Sequence, residues 1–149
     1  GYLNRLQFNI VGKGPLYEQY IKEYNFPNVN FLGFADDDLL ISLYQSNDLF
    51  VFPTLFEGMP TVVLEAMAAS MPIIVTDTGA TAELVDSGNG YLIETANIRA
   101  LKWAIQQYYQ LKPEEKKALS DKSYQKVVEK FTWKKVARLH LDLFDNFMA

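Results

Sequence analysis

There is no cysteine anywhere in the 149 residues. That excludes disulfides, thiolate-bound metals and a cysteine nucleophile, and it accords with a reducing compartment. Histidine occurs once, at His140, which removes most histidine-based catalysis from consideration. No apolar run approaches the ~20 residues that a membrane-spanning helix needs. No secretory signal precedes the first strand, so a cytoplasmic location is the expectation. Internal repeats, low-complexity tracts and an interdomain linker are also missing. Residues 1–149 therefore read as one domain, long enough to bury a core.

What is present is ordinary for a globular protein, with 49% apolar and 21% charged residues. The net charge of −4 hides an asymmetry: residues 1–111 hold 5 Lys/Arg against 12 Asp/Glu, whereas 112–138 hold 9 against 4. The basic stretch reads as the solvated face of two surface helices in preference to an anionic partner such as a membrane surface. Acidic residues are interleaved with the lysines, and no aromatic platform for nucleic acid accompanies them. No nucleic-acid partner is expected.

Short strand-like runs alternate with helix-like stretches. Strands are predicted at 6–11, 29–32, 48–52, 72–76 and 91–93, with the run at 48–52 apolar enough for burial on both faces. Helices are predicted at 15–25, 36–46, 60–70 and 81–85. From 97 onward the pattern is wholly helical, opened by Asn97, by Lys112-Pro113-Glu114 and by Thr132. Trp133, Val136, His140, Phe144 and Phe147 recur at helical spacing, which predicts a buried face and makes His140 a packed core histidine. The fold class is α/β, a Rossmann-like doubly wound parallel sheet with carboxy-terminal helices from about 97 to 149. Such sheets bind ligands at the carboxyl ends of their strands.

The most informative segment there is Glu57-Gly58-Met59-Pro60-Thr61-Val62-Val63-Leu64-Glu65. It follows an apolar strand and opens a helix, whose free N–H groups and partial positive charge suit a phosphate. Gly58 lets backbone approach a ligand closely, and Pro60 has no N–H to leave unsatisfied. Glu65 stands about 6 Å beyond Thr61 on the same helix face. Facing a pocket, it would accept hydroxyls such as a ribose diol supplies, with Glu57 pointing into the same cleft. Equally, Glu65 could face solvent and Glu57 could be a loop charge beside a positive helix end; spacing alone leaves both open. A glycosidase pair would have to flank one bond at ~5–5.5 or ~6.5–9.5 Å, and two glutamates strung along one junction suit a long ligand better. Gly12-Lys13-Gly14-Pro15 lacks the full dinucleotide fingerprint, since Tyr17 stands where a third small residue belongs. Thr76-Asp77-Thr78-Gly79-Ala80 adds a turn on the same rim. A phosphoacceptor domain would need an aspartate directly ending a central strand, and Phe52-Pro53-Thr54 offers none.

Taken together, these residues resemble the retaining glycosyltransferases of family 4 (group 1). The resemblance rests on the run 48–53, Phe56-Glu57-Gly58-Met59-Pro60, Leu64-Glu65-Ala66-Met67-Ala68 and Pro72-Ile73-Ile74. Glu57 and Glu65 are separated by seven residues, the family's paired-glutamate spacing. Val11-Gly12-Lys13-Gly14-Pro15, residues 29–34, Gly79 with Glu83-Leu84-Val85, 88–92 and Phe131-Thr132-Trp133 extend it over nearly the whole chain. It implies the carboxy-terminal, donor-binding half of a two-domain GT-B enzyme that uses a nucleoside-diphosphate sugar without a metal or other cofactor. Glu57 would contact the transferred sugar and serve as the catalytic residue. The amides of Gly58, Met59 and Thr61, with Pro60 between them, would face sugar and diphosphate. Glu65 would hold the ribose, the Gly33-Phe34 turn would lie against the base, and Gly12 and Gly14 would line the diphosphate cleft.

The family's donor half opens with a strand and an Arg/Lys clamp that have no match here, and Arg5 and Lys13 stand at other positions. The amino-terminal acceptor domain is an expected partner outside the sequence. With that central strand unmatched, the strands at 6–11 and 48–52 would pair directly, leave a gap, or borrow a strand in a strand-sharing dimer. A full enzyme of this kind would work in the cytoplasm, with peripheral contact at the inner face of the membrane a further expectation. The rival readings are a non-catalytic nucleotide-sugar-binding or interaction module of the same fold, and an epimerase, which the paired-glutamate loop disfavours.

Overall fold

The computed structural model describes residues 1–148; Ala149 lies outside the described residues. The chain divides into two compact units, residues 1–43 and the part from Tyr44 onward. Each holds its own parallel sheet, of two strands in the first and three in the second.

In the first unit a 3-10 turn (Tyr2–Arg5) leads into β1 (Phe8–Val11), α1 (Tyr17–Glu23) and β2 (Val29–Gly33), before α2 (Asp37–Ser46) begins. Strands β1 and β2 pair from Phe8 opposite Val29, with an irregularity between Ile10 and Val11. The turn before β2 is fixed by Asn28, whose side-chain amide donates to the carbonyls of Leu3 and Leu6 at 3.1 and 3.0 Å.

The second unit continues with β3 (Phe50–Phe52), α3 (Thr61–Ala68), β4 (Ile73–Thr76), α4 (Thr81–Leu84) and β5 (Gly90–Ile93). Three helices follow: α5 (Ile98–Gln110), α6 (Pro113–Lys130) and α7 (Trp133–Met148). The strand order is β3-β4-β5, so β4 is central, and all four of its residues are buried. Its side chains alternate as strand geometry requires. Ile73 and Val75 join Val63, Ala66 and Met67 of α3 and Val127 of α6 in one core cluster. Ile74 turns the other way and packs with Ile93 and with Ala104 of α5. Helices on both sides of a parallel sheet give the doubly wound layering that the sequence predicts. Strand β3 departs from expectation: Phe50, Val51 and Phe52 are only half-buried. Apolarity marks a strand as fit for burial, but the neighbours decide how much is covered.

Helix caps follow the sequence closely. Asn97 accepts the amide of Ala100 at 2.9 Å, and the Glu115 side chain reaches back to accept that of Lys112 at 2.8 Å at the start of α6, the carboxylate half of a capping box. Tyr108 of α5 donates its hydroxyl to Asp48 O at 2.6 Å, which anchors the approach to β3. Helix α3 ends in a Schellman turn, with Met71 N bonded to Ala66 O and Ser70 N to Met67 O. Ser70 there has φ 63°, a left-handed conformation that costs an L-residue about 1–2 kcal/mol. Ser70→Gly is therefore expected to stabilise the protein by about 1 kcal/mol, read as a higher denaturation midpoint at unchanged slope.

The predicted buried face of α7 is not buried. Trp133, Phe144 and Phe147 are 88%, 66% and 85% exposed. His140 is exposed too, its Nδ1 2.8 Å from Val136 O rather than packed in a core. Val136 alone of the predicted stripe is half-buried; helical spacing identifies the apolar face, whereas burial needs a surface to cover it, and beyond Val136 the described elements supply little. No helix among the described residues is long and apolar enough to cross a membrane.

Candidate functional site

The loop between β3 and α3 is held from beneath by the end of β4. Thr76 is buried and donates its hydroxyl to Thr54 O at 2.6 Å. Thr81, fully buried at the start of α4, bonds to Thr76 O at 2.8 Å, to Thr78 O at 2.9 Å and to Thr78 N at 3.0 Å. These bonds fix the turn Thr78-Gly79-Ala80. The turn grips the loop in its own right, with Ala80 N donating to Gly58 O at 2.7 Å. Gly79 has φ 56° and lies so close that a Cβ there would stand 2.1 Å from Glu57 O and 2.4 Å from Gly58 O. Only glycine fits such an approach.

Pinned in this way, Glu57 is half-buried, while Gly58, Met59 and Thr61 are exposed and Pro60 is buried. Pro60 is the N-cap of α3, one position earlier than the first helical turn, and it makes no side-chain cap. No side chain caps the start of α3, and Val63 N bonds back to Pro60 O at 3.2 Å, so it is the Thr61 and Val62 amides that stand at the end of the helix where partial positive charge collects. That is the electrostatic arrangement the sequence predicts for a phosphate. Leu55 and Phe56, 72% and 88% exposed, stand beside it.

Glu65 lies one turn into α3 on its exposed face, with Val63, Ala66 and Met67 turned to the core. Its Oε2 accepts the Tyr44 hydroxyl at 3.0 Å. Burial, and then the bond to this carboxylate, push the Tyr44 phenol up to about 12, so it stays protonated and donating at neutral pH. The structure thus brings Glu57, Gly58, Met59, Pro60, Thr61 and Glu65 onto one strand-to-helix junction. Gly12 and Gly14 follow β1, and Gly33 and Phe34 close β2, in the first unit; Phe34 is 81% exposed. Nothing in the sequence singles out Tyr44, because its partner is 21 residues away and no local pattern marks the pairing. The Thr76–Ala80 segment is visible in the sequence only as a flexible turn; its role as a clamp depends on the contacts.

Residues 2–110 match the family described as glycosyl transferases, group 1. An uncharacterized glycosyltransferase of Methanocaldococcus jannaschii is 31% identical over 132 residues, covering 86% of this chain and 37% of that protein. Among solved structures, sucrose-phosphate synthase from Thermosynechococcus elongatus superposes with a TM-score of 0.80 at 25% identity, over 95% of this chain and 38% of the other. TarM of S. aureus, crystallised as a point mutant in complex with fondaparinux, alpha-GlcNAc-glycerol and UDP, gives 0.81 at 25% identity, over 95% and 29%. The chain thus spans less than two-fifths of the length of each of these proteins. Matched over most of its own length, with the paired glutamates and their clamped loop inside the matched region, it belongs to the group 1 glycosyl transferases.

Proposed function

We propose that this chain is the nucleotide-sugar-gripping half of a retaining, family 4 GT-B glycosyltransferase that needs no metal. The observation that carries the reading is the clamped β3–α3 junction, with one carboxylate just ahead of the helix and a second one turn inside it. The amides of Gly58, Met59 and Thr61 would take the diphosphate and stabilise charge as it builds on the leaving group. Glu57 would hold the hydroxyls of the transferred sugar, and Glu65 the ribose. Gly12, Gly14, Gly33 and Phe34 keep the diphosphate- and base-facing roles that the family resemblance gives them. The UDP in the TarM crystal supports a nucleoside-diphosphate donor. Acceptor recognition is assigned to the portion of the relatives that this chain does not span, so sugar transfer would call on that portion together with the residues named here.

The two glutamates then have separable effects. Glu65→Gln should weaken both free UDP and a UDP-sugar, because ribose is common to them. Glu57→Gln should spare UDP and weaken only the sugar donor, each loss being about 1–3 kcal/mol for a hydrogen bond to a carboxylate that the bound ligand covers. Isothermal titration calorimetry separates the cases. Equal impairment of bare UDP binding by both variants would contradict the division of labour, and no UDP affinity in the unsubstituted protein would favour a non-catalytic interaction module.

A further inference from the structure

The proposed role of Glu65 leaves one question, which is how an exposed glutamate comes to be aimed. A free glutamate side chain loses as much as ~1.5–2 kcal/mol of rotamer entropy when it is ordered. If the ligand had to impose that order, its affinity would fall accordingly. In this structure the ordering partner is already in place. Tyr44, near the end of α2, is half-buried, and its ring meets Phe50 edge to face at 5.8 Å and packs against the main core cluster. Its ring is thus held by β3 and the core, and only the hydroxyl reaches out, to Glu65 Oε2 at 3.0 Å.

We infer that Tyr44 is a positioning residue for ribose recognition: it binds one oxygen of the Glu65 carboxylate and presents the other to the sugar diol. This rests on the reading of Glu65 as the ribose acceptor. The chemistry is asymmetric in a useful way. A carboxylate only accepts hydrogen bonds, a ribose diol offers two hydroxyl donors, and the phenol donates. Tyr44 takes one acceptor site on Oε2, and because a carboxylate offers about four such sites, Oε1 remains fully available to the diol. Charge-assisted bonds of this kind are the stronger class, although this one is open to solvent and its contribution to folding is accordingly small. Its effect should therefore appear in ligand discrimination more than in stability.

The test compares UDP with 2′,3′-dideoxy-UDP, which lacks the diol, by calorimetry on the protein and on its Tyr44→Phe, Glu65→Gln and doubly substituted forms. Tyr44→Phe keeps the packed ring and is expected to leave the melting temperature nearly unchanged. It should weaken UDP about fivefold, equivalent to about 1 kcal/mol at 1.4 kcal/mol per tenfold, and leave dideoxy-UDP unaffected. In the doubly substituted form, the Tyr44→Phe effect on UDP should vanish, since there is no carboxylate left to position. Glu65→Asp, which draws the carboxylate back from the phenol, should reproduce the loss of diol preference and guards against a folding defect in the phenylalanine variant. Equal weakening of both nucleotides by Tyr44→Phe, or no weakening of UDP while Glu65→Gln weakens it, would overturn the inference and leave the role of Glu65 standing. No effect of Glu65→Gln on the preference for UDP over its dideoxy form would overturn the ribose assignment itself, and the inference with it.

Discussion

Gly79→Ala is expected to abolish measurable nucleoside-diphosphate binding and to destabilise the protein. The new methyl would stand 2.1 Å from Glu57 O, 2.4 Å from Gly58 O and 2.9 Å from Glu57 C, and every one of these is backbone. None can swing aside as a flexible side chain would. The residue would also be held at φ 56°, a left-handed conformation costing about 1–2 kcal/mol for any L-residue but glycine. Relief requires either the turn or the β3–α3 loop to withdraw. The turn is fixed by Thr81 to the end of β4, whereas the loop is tied to that strand end at Thr54, so the part of the loop around Glu57 and Gly58 is what moves. Moving it breaks the Ala80 N to Gly58 O bond and shifts Glu57 and the phosphate-facing amides together. Misplacement of a positioned group by about 1 Å can cost on the order of 10²-fold, and strain plus overpacking should lower stability by about 3 kcal/mol. Calorimetry with UDP and chemical denaturation measure both. Gly58→Ala is the internal control for stability: a Cβ there meets nothing within 4 Å, so its unfolding midpoint should stay close to that of the parent. Parent-like UDP affinity in Gly79→Ala would show that the turn does not shape the loop.

Gly90→Ala should be more damaging still to the fold. Gly90 opens β5 directly opposite Ile73 of the buried central strand. A Cβ would lie 1.8 Å from Ile73 O, 2.8 Å from its carbonyl carbon and 2.9 Å from its nitrogen. Strand β4 cannot retreat, because Ile73 and Val75 fill the core against α3 on one side and Ile74 packs toward α5 on the other. The ladder between β4 and β5 would have to open at its first pair, which also strips the bond from Ile73 N to Asn89 O. Net stabilities of domains are only about 5–15 kcal/mol, and a loss above about 4 kcal/mol takes a large share of that. The variant is expected to be largely unfolded at about 37 °C, with loss of the cooperative transition followed by circular dichroism. A melting temperature within a few degrees of the parent's would mean that the sheet accommodates the methyl by a route not apparent from the packing.

These two glycines also show how far the sequence is readable. Gly79 and Gly90 both fall within the segments carrying the family resemblance, yet nothing in the letters says which backbone each of them touches. Local chemistry is legible. Asn97, Pro113 and the strand at 73–76 do what cap, first-turn and β-branched residues do, because those effects operate over one turn or one pleat. The junction from Glu57 to Glu65 is legible for the same reason, being a contiguous strand-loop-helix unit. Long-range pairing is not. Tyr44 with Glu65, Thr76 with Thr54 and Ala80 with Gly58 join residues about twenty positions apart, and no periodicity encodes such partners. The same limit explains α7. Its apolar spacing is real, but the covering surface that would make Trp133, Phe144 and Phe147 a buried face is not among the described elements. Strand β3, apolar yet half-buried, is a milder case of the same thing.

The most direct measurement is a titration of the isotopically labelled chain with UDP, followed through its backbone amide resonances. If the clamped junction grips the donor, saturable shifts should concentrate on Gly58, Met59 and Thr61, extend to the turn at Gly79-Ala80 and reach Glu65, with α6 and α7 unmoved. The titration runs to millimolar UDP. Shifts confined to other surfaces, or none at all at that concentration, would contradict the assignment of this junction as the donor site.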